Sequence, residues 1–382
     1  MEALSQFYSA IPKPFGIQNY TRQSPAMKYP FYLSFLIILS SFSVTVAQPR
    51  KWTSTAGSTM NAELVDFSNR VVILKSTTGQ KITLKIDQLI TSDQSFVLEW
   101  SQEKNKLKLA SKNTLPANTG FTELCASSCR DEFGRNSYEW LAEIVPDDEN
   151  LSILDLACGS GPLLKILVDR NKNFNLKGVD MCPEELALAK KRLVNSEVSL
   201  IESKAQNLTA IKDKSIDILL CHWALTLMDP IVPVLNEIKR VLTPEGCFAA
   251  LVDGPMNIAP GYKEVHDLIY SYVQEELPSY GEIDLGDPRI RGTESLSDLA
   301  KKTFPDANIT IETNVVSLEG PVTEVAEIAA GFFYAAFVLK SEKRKSMITS
   351  LARILTISKD SIGTEKHGRF LMPISRLVVE QI

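Results

Sequence analysis

Four residues in one short span have the types and spacing to grip a positively charged ligand. Asp155 lies inside the run "ILDLACGSGPLLKIL", Gly159 and Gly161 follow it, and Asp180 sits in "LKGVDMC". Glycines at alternate positions let a backbone come close to a ligand. Carboxylates beside such a bend put negative charge in the same place, which attracts an ammonium or sulfonium and repels a phosphate.

These residues need a strand, a turn and a helix to hold them. "LSILDLA" reads as a buried strand, and Pro162 stands near the first helical position, where its missing N–H costs little. "LKGVDMC" is a second strand ending at Asp180, and "PEELALAKKRLVN" a helix with acids in its first turn. "EVSLIES", "SIDILLCH" and "GCFAALV" are further strands, with "DPIVPVLNEIKRVL" a helix before the last and "NSYEWLAEIV" a lead-in helix before the first. Alternation of this kind predicts a mostly parallel sheet with helices on both faces.

A dinucleotide loop asks for a small third residue in G-x-G-x-x-G/A, so that helix and strand can approach. Leu164 occupies that position, and Asp155 would face a pyrophosphate. S-adenosylmethionine fits better. It has no phosphate, carries a sulfonium and an ammonium, and offers two ribose hydroxyls that Asp180 can bind.

"ILDLACGSG", "GVDMCPEELALAKKRL" and "SIDILLCHWALTLMDPIVPVLNEIKRVLTPEGCFAALV" together resemble a class I S-adenosylmethionine-dependent methyltransferase. The resembling group is the broad small-molecule one (type 11/25-like) that includes the quinone-ring methylases. The resemblance runs from Tyr138 to Val252, with a weaker tail at "ISRLVVEQ". It implies a seven-stranded Rossmann-like sheet. It also implies that Asp155, Ala157, Cys158, Gly159 and Gly161 line the methionine side, Asp180 binds ribose and Met181 flanks adenine. Ala205, Gln206 and Cys221 complete the implied cofactor set. Ala157 replaces the usual first glycine, and Lys204 stands where an acid usually precedes Ala205.

Methyl transfer needs an aligned acceptor and a dry site, and a base only where the acceptor holds a proton. "CHWALTLM" is not the Asn-Pro-Pro-Tyr type of loop that holds a planar amine. His222 is the histidine at that strand end, a candidate base or a strand-end cap. Trp223 is a candidate wall over the acceptor. Tyr262 and His266 lie on the helix "GYKEVHDLIYSYVQEEL", a candidate lid whose aromatic spacing also suits packing, and Arg289 could grip an acidic acceptor. "EVAEIAAGFFYAAFVL" carries Glu324 and Glu327 at its start and reads as a buried helix.

The chain has 382 residues and a net charge of -5. That length suits two domains, and an acidic chain with no long basic run argues against a nucleic-acid partner. The six cysteines all lie at or beyond Cys125. Cys125 and Cys129 form C-x3-C without a third cysteine nearby, and there are only three histidines, so no metal site is expected.

The N-terminal part reads differently. "MKYPFYLSFLIILSSFSVTVAQ" has a basic start at Lys28, an apolar run from Phe31 to Val46 and small residues before Gln48, the pattern of an export signal. Met27 then reads as the start. A membrane association through this run, or a buried helix in a cytoplasmic protein, are the other readings. "RKWTST", "AELVDF", "RVVILKS" and "KITLKI" read as a strand meander, and Thr91-Ser92-Asp93-Gln94 as a capping box opening one helical turn.

From Arg50 to Trp100 this stretch resembles the small β-barrel called the Sla homology domain, through its W-T, A-x-L, V-x-L-K, G-x-x-x-x-L and L-x-x-x-D-Q positions. The resemblance implies a fold and a peptide-binding role. The expected organisation is an extension over 1–49, a barrel over 50–103, a linker over 104–120 and a methyltransferase over 121–382. The function expected is methyl transfer to a small molecule. An adaptor whose second domain only binds cofactor is the alternative.

Overall fold

The computed structural model describes residues 49–68, 70–102, 121–148, 150–170, 172–278, 286–358 and 366–381. The signal-like run Phe31 to Val46 and the linker over 104–120 lie outside the described residues. So do residues 279–285. Among the described residues, no helix is long and apolar enough to cross a membrane.

The first described segment is an antiparallel meander of β1 (Arg50–Thr53), β2 (Thr59–Ser68), β3 (Val71–Ser76) and β4 (Lys81–Lys85). Its core is Trp52, Ala62, Val72, Leu74, Ile86, Leu89 and Val97, which includes the tryptophan, alanine, valine and leucine of the sequence pattern. After β4 the chain returns to β1: Thr55 N–H donates to the Gln88 carbonyl at 2.9 Å and Ile90 N–H to that of Thr53 at 3.0 Å. Helix α1 spans residues 91–102, three turns rather than the single one expected. Asp93, 2 % exposed, takes the Arg50 guanidinium at 2.6 Å and the Thr53 N–H at 2.7 Å, which ties its first turn to β1.

The larger part begins with α2 (Phe121–Ser128) and α3 (Ser137–Ala142), then runs β5 (Ser152–Leu156), α4 (Pro162–Asp169), β6 (Asn175–Asp180), α5 (Pro183–Arg192), β7 (Ser199–Glu202), β8 (Ile216–His222), α6 (Ile231–Val241) and β9 (Leu242–Asp253). It continues through α7 (Tyr262–Gln274), α8 (Thr293–Thr303), β10 (Asn308–Pro321), α9 (Val322–Phe332), α10 (Ser341–Leu355), β11 (Thr356–Ser358) and β12 (His367–Glu380). The seven-stranded path is β10-β12-β9-β8-β5-β6-β7, with β11 paired to β12. Strands β5 to β9 pair in parallel, whereas β12 runs antiparallel to both β9 and β10. This is a Rossmann-like mixed α/β fold.

Alternation of side chains builds two cores from each strand. Ile153, Leu220, Ala249 and Leu251 face α3, α4, α7, α9 and α10. Leu154, Leu219, Phe248 and Ala250 face α6 and α8. In α6 the buried positions Ile231, Val234, Leu235, Ile238 and Val241 recur at helical spacing, so one stripe meets the sheet. Each such side chain contributes about 1.5–3 kcal/mol on burial. The apolar stretch at 324–339, expected as one buried helix, is divided: α9 stops at Phe332 and a 3-10 turn follows over Tyr334–Phe337.

Leu164 has a structural counterpart on the next strand. A Cβ built at Gly178 of β6 would stand 2.7 Å from Leu164 Cδ1 and 2.9 Å from both Cys158 Sγ and Leu200 Cδ2. The glycine that lets helix and strand approach therefore lies in β6, opposite a leucine in α4. Gly178→Ala is expected to destabilise the fold by about 1–3 kcal/mol through overpacking, read as a lower urea midpoint. Leu164→Ala in the same chain should recover part of that loss.

Candidate active site at the carboxyl edge of the sheet

Strand order reverses at β5, which has β6 on one side and β8 on the other. Chains leave β5 and β8 in opposite directions there, which opens a crevice at their carboxyl ends. Asp155, Asp180, His222 and the loop from Ala157 to Gly161 all stand at this edge. The loop turns sharply because Ala157, Gly159 and Gly161 have φ of 59°, 53° and 80°. Gly161 also faces α5 closely: a Cβ there would meet Ala189 Cβ at 3.2 Å.

Ala157 adopts a left-handed conformation that costs a residue with a Cβ about 1–2 kcal/mol. Ala157→Gly is expected to stabilise the protein by about 1 kcal/mol, measured by equilibrium urea unfolding. The change is mild in sequence and strained in structure.

The two carboxylates differ in how they are satisfied. Asp180 is 8 % exposed; its Oδ2 accepts from Gly159 N–H at 2.9 Å and its Oδ1 from Cys182 N–H at 2.8 Å. Burial raises its pKa, and these backbone donors pull it back. Asp155 is 1 % exposed, and neither of its oxygens has a hydrogen-bond partner. Burial first, and the Asp180 charge second, push its pKa up to about 8. A buried, unpartnered carboxylate beside a second one is costly unless a cation joins it. The ammonium of S-adenosylmethionine is such a cation, so these residues fit that cofactor.

The loop is braced from outside. Arg192 of α5 donates to the Ser160 carbonyl at 3.0 Å and to Glu123 of α2 at 2.6 Å, and the Ser160 hydroxyl donates to the same Glu123 carboxylate. Met181 is 51 % exposed at the rim, where a flat group can lie on it. Ala205 and Gln206 are half-buried in the turn after β7, and Lys204 is exposed.

Two expected cofactor residues are placed elsewhere. Cys158 packs its thiol toward Gly178, its N–H donates to the Val179 carbonyl and its own carbonyl accepts from the Gly161 N–H, so it supports the loop from the core. Cys221 is fully buried with its side chain in the core beneath α6, and burial and the Asp155 charge raise its thiol pKa. Cys125 and Cys129 are buried in and after α2, with their sulfurs 3.8 Å apart.

On the acceptor side, His222 stacks on Tyr138 with centroids 3.7 Å apart and shares a 2.9 Å hydrogen bond with Ser137 Oγ. Burial pushes its pKa down to about 3, so it is a neutral ring near pH 7. That placement agrees with a strand-end cap more than with a proton acceptor. Trp223 has a φ of 58°, a strained value for a bulky residue. Its N–H donates to the Leu251 carbonyl at 2.8 Å, and its indole Nε1 donates to Asp253 Oδ1 at 2.9 Å.

Tyr262 is 6 % exposed and packs on Phe333 and Phe370, with centroids 5.9 Å and 6.1 Å away. His266 stacks on Tyr270 at 4.0 Å. Arg289 is paired with Asp287, through bonds of 2.8 Å and 2.6 Å from its Nε and Nη2. The neighbouring Arg291 acts on Asp253 instead. Asp253 ends β9 and escaped the sequence reading. The signal was present, because an acid closes a buried strand there as Asp180 does in "LKGVD".

Comparison with known proteins follows the same segment. The methyltransferase domain model matches residues 154–250. Over 137 residues the chain is 29% identical to malonyl-(acyl-carrier protein) O-methyltransferase of Pectobacterium atrosepticum, covering 35% of this chain and 52% of that protein. Over 108 residues it is 33% identical to the ubiquinone/menaquinone biosynthesis C-methyltransferase UbiE of Campylobacter jejuni, covering 27% and 45%. The chain thus spans about half the length of the curated relatives it matches. A solved structure, YcgJ of Bacillus subtilis, aligns with 64% of this chain and 98% of its own at 16% identity and a TM-score of 0.44. Over residues 154–250 the chain is similar to S-adenosylmethionine-dependent methyltransferases, which bears out the reading of a methyltransferase that takes this cofactor.

Proposed function

We propose that the protein transfers a methyl group from S-adenosylmethionine to a small-molecule acceptor. The observation that carries this reading is the orphaned Asp155 carboxylate, buried beside Asp180 at the switch point of the sheet. When bound, the cofactor supplies a methyl carbon made electrophilic by its sulfonium. The chain's own residues do the rest. Asp155 balances the ammonium charge, and Asp180 holds ribose while fixing Gly159 and Cys182. Glu123 and Arg192 keep the loop from opening, and Trp223 walls the acceptor side against water.

The acceptor is proposed only as a class. Relatives named for acyl-carrier-bound and quinone-type acceptors support a small molecule, without choosing among them. The test is transfer of label from methyl-labelled cofactor to a panel of small-molecule extracts, with the Asp180→Ala protein as the control. Label entering one component with the parent and none with the control supports the reading. Equal labelling with both, or none with either, contradicts it.

For residues 50–103 we infer a small peptide-binding barrel, supported by the Sla-homology pattern and by the return of the chain from β4 to β1. Its test is binding of peptides from a display library to the isolated full chain, with loss on a Trp52→Ala change as the specific result. The signal-like run Phe31 to Val46 supports export or membrane association, which sequencing the mature N-terminus of the cellular protein checks; a start at Gln48 is the result that fits.

A further inference from the structure

Helix α2 carries a carboxylate that braces the cofactor loop and, beside it, a pair of thiols with no role in that brace. Cys125 and Cys129 are both fully buried, in the core shared with α3 and α9, and their sulfurs stand 3.8 Å apart. Glu123, just before them on α2, holds the Arg192 guanidinium at 2.6 Å and accepts from the Ser160 hydroxyl of the glycine loop. Cys129 is followed by Arg130, whose N–H donates to the Ser317 carbonyl of β10 at 2.8 Å and whose carbonyl accepts from the Ser317 N–H at 2.7 Å. One end of the thiol pair is therefore pinned to the sheet, and the other lies beside the group that braces the loop.

The two sulfurs are close enough to bond once the turn between them tightens. A disulfide holds its Cβ atoms about 3.5–4.5 Å apart, whereas side chains at this helical spacing have theirs about 5–6 Å apart. Closure must shorten the turn by roughly 1–2 Å. That turn is the last of α2, where the Cys129 N–H donates to the Cys125 carbonyl at 3.0 Å. Ser317 fixes the Cys129 end, so the movement falls on α2 and reaches Glu123. The pair is shielded while α2 is docked: the hydrogen bond to Cys129 first, and burial second, hold the Cys125 thiol well above its usual range. Leu124 of the same helix is 54 % exposed, so α2 lies at the surface, and its local opening admits a small oxidant.

Resting on the methyl-transfer reading for its consequence, we propose that Cys125 and Cys129 are a redox-active pair, and that their oxidation by a small-molecule disulfide draws α2 off the cofactor loop. One protein thiolate attacks the oxidant's disulfide, and half of the oxidant leaves as a thiolate. The second protein thiolate attacks the protein sulfur of that mixed disulfide, forms the Cys125–Cys129 bond and expels the other half. Two protein thiols are oxidised, the oxidant's disulfide is reduced to two thiols, and both protons pass to those thiols. Cofactor binding and closure of the pair oppose each other by one and the same factor.

The test equilibrates the full chain with glutathione and glutathione disulfide, reads the mass of the peptide holding both cysteines, and titrates S-adenosylhomocysteine. The parent peptide should lose two hydrogens, and affinity should fall about tenfold, the value of one charged hydrogen bond. Dithiothreitol should reverse both changes. Saturating S-adenosylhomocysteine should raise the glutathione disulfide needed, at fixed glutathione, by about tenfold. Cys129→Ala should bind as the reduced parent does, before and after the oxidant. Two free thiols in the treated parent overturn the proposal, as does undiminished affinity in the oxidised parent. An equal loss of affinity in Cys129→Ala, which keeps Cys182 beside Asp180, also overturns it. Failure of the reduced parent to bind S-adenosylhomocysteine overturns the underlying methyl-transfer reading instead, and the peptide mass still reports the disulfide.

Discussion

An Asp155→Asn protein is expected to lose cofactor binding by a hundredfold or more, on the order of the 3–5 kcal/mol that a stranded partner of a buried charge pair costs, and yet to be the more stable protein at pH 8 when free. Both effects come from one carboxylate. In the free protein Asp155 has no donor and sits beside Asp180, so its pKa rises to about 8. A raised folded-state value means the native protein keeps this proton longer than the unfolded chain does. Its contribution to stability is therefore lost as pH climbs from the unfolded value toward about 8. The span is on the order of 5 kcal/mol at 1.36 kcal/mol per unit. Asparagine has no charge to bury, so the parent's decline over that range should flatten in the variant. Melting curves at several pH values, each with and without S-adenosylhomocysteine, check both halves. A variant whose stability falls with pH as the parent's does would show that the burden lies elsewhere.

Asp180→Ala should have the second-largest effect, and its signature is different. It strips acceptors from Gly159 and Cys182, so the loop and the start of α5 lose their shared anchor. Two stranded amides cost about 1–3 kcal/mol each. Each carboxylate oxygen has a second lone pair, which leaves capacity for a ribose hydroxyl beyond its backbone donor. Cofactor affinity should thus fall about a hundredfold, from two charged hydrogen bonds, together with stability. Removing the charge also relieves Asp155, so its proton should leave the folded protein at a lower pH: the decline in stability still begins at the unfolded value but ends sooner and is smaller. Asp180→Asn keeps one oxygen for the backbone. It should recover part of the stability without recovering ribose binding, which separates the two roles in a urea titration and a binding titration.

The strands carrying this site were legible because each is a short apolar run closed by a turn residue or an acid. Asp155, Gly159, Gly161 and Asp180 are local in sequence, and their chemistry is local too. Gly178 was not legible as a packing partner, because the residue it accommodates, Leu164, reaches it only when α4 lies down on β6. Cys158 and Cys221 belong to the cofactor motif in sequence, but strand alternation and the turn send their side chains inward. The length of α1 exceeded its capping signal because Val97 gains a place in the core with Trp52, a tertiary contact. The pairing of Arg289 with Asp287 was not legible, because the bend that brings them together could not be read. Asp253 had a readable signal, an acid closing a buried strand as Asp180 closes β6.

The central claim is that the ammonium of a phosphate-free adenosyl amino acid neutralises Asp155. Calorimetry with S-adenosylhomocysteine, run near neutral pH in two buffers of different ionisation heat, tests it most directly. The account predicts saturable binding with about one proton released per ligand, and affinity rising as pH approaches about 8. No binding heat with this ligand, alongside clear binding of a pyrophosphate dinucleotide, would contradict it.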